Sequence, residues 1–135
     1  MKLSIVATRG SHTALVNLLT TVLAAAVSEI EVRVLLREEA AYMLTRSKIA
    51  RPVLSGISAD VPGLSRRLSE AGLDDLHALL REAKRQGDVR FMVCSSSFAL
   101  FGLSPEDLLP EIDEVRGLTS FLLEEISDAD TVLSF

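Results

Sequence analysis

Residues 89–97 read Val89-Arg90-Phe91-Met92-Val93-Cys94-Ser95-Ser96-Ser97. A short apolar run bounded by turn-forming residues predicts a buried strand over Val89–Val93. The only cysteine of the chain stands at its carboxyl end. Three hydroxyl residues follow, then an apolar turn, Phe98 to Phe101, ending at Gly102. Just upstream, Leu76, Leu79, Leu80 and Ala83 recur at helical spacing and Gly87 closes the run, so a helix feeds this strand.

The same alternation extends outward in both directions. Leu3-Ser4-Ile5-Val6-Ala7 predicts a buried strand, and Thr8-Arg9-Gly10 predicts a turn. Leu15, Leu18, Leu19, Val22, Leu23 and Ala26 then give the apolar stripe of an amphipathic helix, capped by Ser11 or Thr13. Ile30 to Leu36 predicts a second strand. Its alternation of Ile30, Val32 and Val34 with Glu31 and Arg33 suggests an edge position with one wet face. Arg37 to Arg46 has helical composition. Ser47 to Gly63, with Pro52, Gly56 and Pro62, reads as a long functional or partly ordered loop. Leu64 to Ala71 predicts a short helix, and Asp74 starts the helix ahead of residue 89. Ser104-Pro105-Glu106-Asp107 predicts a helix start, with cap, proline and acids in place. Glu114 to Arg116 is a short strand, Gly117 to Ile126 a helix, and Thr131 to Phe135 the last strand. Strands alternating with helices predict one α/β domain over 1–135, with a mainly parallel five-stranded sheet and helices on both faces.

Composition narrows the class. The chain has 135 residues, 48% hydrophobic and 24% charged, which is a globular profile. A formal net charge of −5 argues against a nucleic-acid partner. A lone cysteine excludes an internal disulfide and favours a reducing compartment, hence a cytoplasmic location. No signal peptide is read at the N-terminus, and the longest apolar stretch, Val22 to Val27, is too short for a membrane span. His12, His77 and Cys94 have no metal-ligand spacing, so neither metal nor cofactor is expected.

Ligands and chemistry in open parallel sheets gather beyond the carboxyl ends of the strands, where Arg9, Arg37 and Cys94 all lie. A thiol entering a helix start meets free backbone N–H groups that favour thiolate. Free cysteines are also among the most buried residues, so a plain core role stands beside the functional one. A Cys-x-x-Ser at a helix start resembles a thioredoxin motif lacking its second sulfur, but the order of elements fits that fold poorly.

An ordered set of motifs resembles the DsrE/DsrF/DsrH-like family of sulfur-relay proteins. It runs through Pro62-Gly63-Leu64, Glu70-Ala71-Gly72-Leu73, Val89 to Cys94, Ser97, Gly102, Pro105-Glu106-Asp107-Leu108-Leu109, Gly117, and Asp128 to Phe135. The N-terminal half agrees in pattern only. The resemblance implies a three-layer flavodoxin-like fold, homo-oligomers, and Cys94 accepting sulfur as a persulfide. It also implies a partner, rhodanese-like or TusA-like, that gives or takes the sulfur. Some members place a second cysteine or hydrogen-bonding residues in the long loop. Here residues 47–63 hold Ser47, Lys48, Ser55 and Ser58 but no thiol.

The leading expectation is therefore a sulfur carrier, with Cys94 as the reacting residue and Arg9, Ser95, Ser97 and His12 around the bound sulfur. Carrier and sulfurtransferase-like enzyme share this thiol step, and the sequence does not choose between them. The alternative is a non-catalytic oligomeric module that binds a small anion, a nucleotide or a protein at the strand ends, where Thr8 to Thr13 has one glycine but no dinucleotide fingerprint. A peroxide-reactive thiol, resolved by an external thiol, is a third reading. His12 also has a plain structural reading and His77 is a boundary residue. Glu124, Glu125, Asp128 and Asp130 are expected to be solvated.

Overall fold

The alternation along five short strands decides which side chains enter which layer. The computed structural model describes residues 1–51 and 53–135; Pro52, read above as a breaker in the long loop, lies outside them. Strands β1 (Lys2–Ala7), β2 (Glu31–Leu36), β3 (Val89–Cys94), β4 (Ile112–Arg116) and β5 (Thr131–Ser134) form one sheet in the order β4-β3-β2-β1-β5. Every pairing is parallel. The chain steps outward from β1 to β4, then returns to the far side of β1.

One face carries Leu3, Ile5, Val32, Val34, Phe91 and Val93, all buried in the main core. Helix α1 (His12–Val27) covers it with Leu15, Leu18, Leu19 and Val22, and α5 (Leu76–Gln86) with Leu76, Leu80 and Ala83. Asp75 caps α5 through its carboxylate. The opposite face is thinner. There Leu35, Met92 and Cys94 pack with Phe121, from the short helix α7 (Leu118–Phe121). One wide π-helical turn, Leu122–Ile126, continues α7. The result is the expected three-layer α/β arrangement.

Two local expectations need correction. β2 is not an edge strand, because β1 and β3 flank it on both sides. Its wet-looking residues instead enter an ion-pair network on the thinner face, where Arg33 holds Glu31 at 2.7 Å and Asp88 at 3.0 Å. The strong start at Ser104 yields only a 3-10 turn, Pro105–Asp107, with a reciprocal Ser104–Asp107 cap. Leu108 is already extended, and Pro110 disfavours helical geometry at Leu109 before it. The segment 47–63 is partly organised, with a short helix α3 (Gly56–Ala59) capped by Ser55. The short helices α2 (Glu38–Met43), α4 (Leu64–Glu70) and α6 (Ser95–Leu100) complete the connections.

Candidate functional site

Cys94 is the last residue of β3 and the residue immediately before α6. Its parity along the strand matches Met92, so the sulfur lies on the thinner face. It is 1% exposed, ringed by Leu35, Met92 and Phe121. Burial among such side chains alone would describe a core cysteine. Polar groups nevertheless reach the sulfur, and the Ser96 hydroxyl lies 3.1 Å from Sγ. Burial pushes the thiol pKa up. The Ser96 hydroxyl, the backbone N–H groups of Ser97 and Ser96 and the Arg37 guanidinium outweigh it and leave the thiol below its ordinary value.

Arg37 reaches this place by the same parity. It lies two residues beyond Leu35, as Cys94 lies two beyond Met92, and the paired strands keep these residues on one side. Its Nε is buried and has no hydrogen-bond partner among the described residues. The next residue, Glu38, sits at φ +51°, a left-handed conformation that costs a non-glycine side chain about 1–2 kcal/mol. The turn is held from α6. The buried Ser97 hydroxyl accepts the Glu38 N–H at 2.8 Å, and lies 3.4 Å from the Glu38 carboxylate. Ser97 thus fixes the strained turn that presents Arg37.

On the other flank, Arg116 of β4 is the register partner of Cys94. It is clamped by Glu125 at 2.7 Å and Glu114 at 2.8 Å. Glu125 also meets Lys2 at 2.9 Å and lies 3.7 Å from Arg33. The expectation of a solvated Glu125 is therefore corrected: it is buried, because the π-helical turn directs it back onto the sheet. Burial raises its pKa, but the Lys2 and Arg116 contacts more than offset this and hold it below the usual carboxylate range.

The expected site residues do not all converge. Ser97 supports the Arg37 turn, and Ser95 is exposed at the start of α6. Arg9 lies two residues beyond Ala7, which faces the main core. It lines a cavity with Tyr42 and Phe101 instead of meeting the sulfur. His12 is buried in the first turn of α1 and donates Nε2–H to the Leu73 carbonyl at 2.9 Å. His77 pairs with Glu111 at 3.0 Å, at a boundary position. Of the three serines expected to offer hydroxyl donors after Cys94, Ser96 is the one that reaches the sulfur, whereas the Arg116–Glu125 pair was not singled out from sequence. Among the described residues, no group of three or more His, Cys, Asp or Glu is placed to hold a metal ion. No helix among them is long and apolar enough to cross a membrane.

An all-parallel α/β sheet with a polarised thiol at a central strand end defines the class. Within that class, the sequence model of the DsrE/DsrF-like family matches residues 1–135, and the chain belongs to this family. Its fold is similar to that of MTH1491, a protein of unknown function from Methanobacterium thermoautotrophicum. The TM-score is 0.58 at 18% identity, over 98% of this chain and 97% of the other. Among curated proteins, none matches the chain.

Proposed function

We propose that the protein is a sulfur carrier that holds sulfane sulfur as a persulfide on Cys94 and passes it to a partner thiol. The observation that carries this reading is the lowered thiol, buried yet served by Ser96 and Arg37. Family membership supports a sulfur-relay related role. In the loading step the Cys94 thiolate attacks the terminal sulfur of a persulfide donor, R–S–SH. The new Cys94 S–S bond forms as the donor's S–S bond breaks, and the donor leaves as the thiolate R–S⁻. The unpartnered Arg37 Nε–H offers a donor to the added sulfur. Unloading is the same exchange with the acceptor thiol as attacker. A lone thiol suffices, because each exchange uses one sulfur per protein.

In this reading the partner is a rhodanese-like or TusA-like protein, the chain works in the cytoplasm, and it does so as a homo-oligomer. The exposed Leu122 and Leu123, beside the thin layer over Cys94, would suit a subunit contact. The test is intact mass after incubation with a small persulfide donor. The expected result is a gain of about one sulfur atom, ~32 Da, reversed by a reducing thiol and absent in Cys94→Ser. An unchanged mass overturns the carrier role, whether iodoacetamide labels the native Cys94 or fails to reach it.

A further inference from the structure

We propose that a second site, distinct from Cys94 and independent of the carrier reading, binds a small zwitterion with an apolar body, of the kind of a free apolar α-amino acid. The site is a cavity of about 550 Å³ between the turn after β1, helix α2, residues 53–55 and the end of α6. That volume is within the range of small-molecule sites, roughly 300–1,000 Å³. Tyr42, Met43, Val53, Leu54 and Phe101 make its walls largely apolar, and the Tyr42 and Phe101 rings lie 5.6 Å apart.

Its polar groups select the ligand. The Ser11 hydroxyl is used by the Ala14 N–H and the Ser55 hydroxyl by the Ser58 N–H. Two charged side chains also line the cavity, Arg9 and Glu39, both reaching solvent at its open side. Neither stands in an ion pair among the described residues, with each other or with any other group. Their backbones are nevertheless locked together. A Cβ built on Gly10 would lie 2.7 Å from the Glu39 Cβ and 2.9 Å from its carbonyl oxygen, so only glycine permits this approach. Ala40 N–H bonds the Thr8 carbonyl at 3.2 Å, and His12 N–H bonds the Val53 carbonyl at 2.7 Å. The backbone around the cavity is thus preformed, and its two opposite charges extend from the β1 turn and helix α2, which are tied to one another.

A simple anion would satisfy Arg9 and face Glu39; a simple cation would do the reverse. A neutral apolar molecule would use neither charge. A ligand with carboxylate and ammonium on one carbon answers both, and an apolar side chain then meets Tyr42, Met43 and Phe101. The first turn of α1, sixteen residues long, opens beside Arg9 and adds positive potential for the carboxylate.

The test is an amide-shift titration of the full chain by NMR with L-phenylalanine and L-methionine. Glycine, N-acetyl-L-phenylalanine and L-phenylalaninamide serve as comparison ligands. The expected result is saturable shifts at Gly10, Ser11 and Phe101 for the two free apolar amino acids. Blocking either charge should weaken binding about tenfold, as should Arg9→Gln or Glu39→Gln in variants whose spectra show the native fold. Cys94→Ser should bind as the wild type does, which separates this site from the sulfur reading. Absence of saturable shifts up to about 20 mM ligand overturns the proposal, and so do blocked derivatives that bind as tightly as the free amino acid.

Discussion

Glu125 fastens the last helical segment over the thiol, so Glu125→Gln probes both the stability of that layer and the route to the sulfur. The substitution keeps the shape and removes the charge that meets Lys2 at 2.9 Å and Arg116 at 2.7 Å. Its side chain is 10% exposed and theirs are 11% and 15%, so solvent screens the loss little. Breaking such a buried pair costs about 3–5 kcal/mol. Lys2 keeps Asp128 at 2.6 Å, Arg33 keeps Glu31 at 2.7 Å and Arg116 keeps Glu114 at 2.8 Å, which points to the low end, about 3 kcal/mol. Urea unfolding reads this directly, and melting should fall by roughly 10 °C. If residues 118–126 must lift to uncover Cys94, the same loss raises the open population roughly a hundredfold. Iodoacetamide should then alkylate Cys94 faster by that factor. The pH dependence has a fixed sign. The folded pKa of Glu125 is depressed, so its contribution is complete above the unfolded carboxyl value and is lost as pH falls through the folded one. The gap between wild type and variant therefore closes on acidification. An unchanged urea midpoint refutes the fastening role. A loss of stability with alkylation unchanged within about threefold refutes this route to the sulfur.

Arg37→Gln removes a group that favours the thiolate, so the pH midpoint of Cys94 alkylation should rise, whereas Arg9→Gln should leave it in place; equal shifts in both would contradict the parity argument. Phe121→Ala empties the centre of the thin layer and should cost about 3–5 kcal/mol by urea unfolding; a cost under about 1 kcal/mol would mean that layer is not packed as a core. Glu29 ends α1 at φ +60°, where its N–H and that of Ile30 close the helix onto Ala26 and Ala25. Glu29→Gly should therefore raise stability by about 0.5–1 kcal/mol in a thermal melt, relief of left-handed strain outweighing glycine's extra freedom; a lower melting temperature would refute that balance.

The sheet was legible because its strands are short apolar runs separated by strong helical stripes. Val89 to Val93 and Leu15 to Ala26 each carry one unambiguous period. β2 misled for a physical reason. Glu31 and Arg33 alternate as an exposed face would, but a central strand can hold them when they pair with each other and acids from elsewhere complete the pairing of Arg33. Asp88 and Glu125 do this from 55 and 92 positions away in the chain, and no local pattern announces such partners. The start at Ser104 misled in the opposite direction. Its cap forms as expected, but capping marks only where a helix can begin: the chain is already extended at Leu108, and Pro110 then disfavours a return to helix at Leu109.

The site divides along the same line. That a thiol and two cations reach one edge of the sheet follows from the order of elements. Which cation meets the thiol depends on strand parity, and parity was already written in the chain. Ala7 faces the main core and sends Arg9 toward Tyr42 and Phe101, while Leu35 and Met92 face the other way and carry Arg37 and Cys94 together. Reading the strands as two interleaved sets, rather than as single apolar runs, separates the edge into two places with different chemistry. One is a dry thiol with a cation beside it; the other is an open apolar cavity lined by one positive and one negative side chain. Two short helices join the places: α6, which opens at Cys94 and ends at Phe101 on the cavity, and α2, which follows Arg37 and places Glu39 and Tyr42 there. The strained Glu38 is the joint of that connection, and its Ser97 hydrogen bond ties it to the same short helix that opens at Cys94.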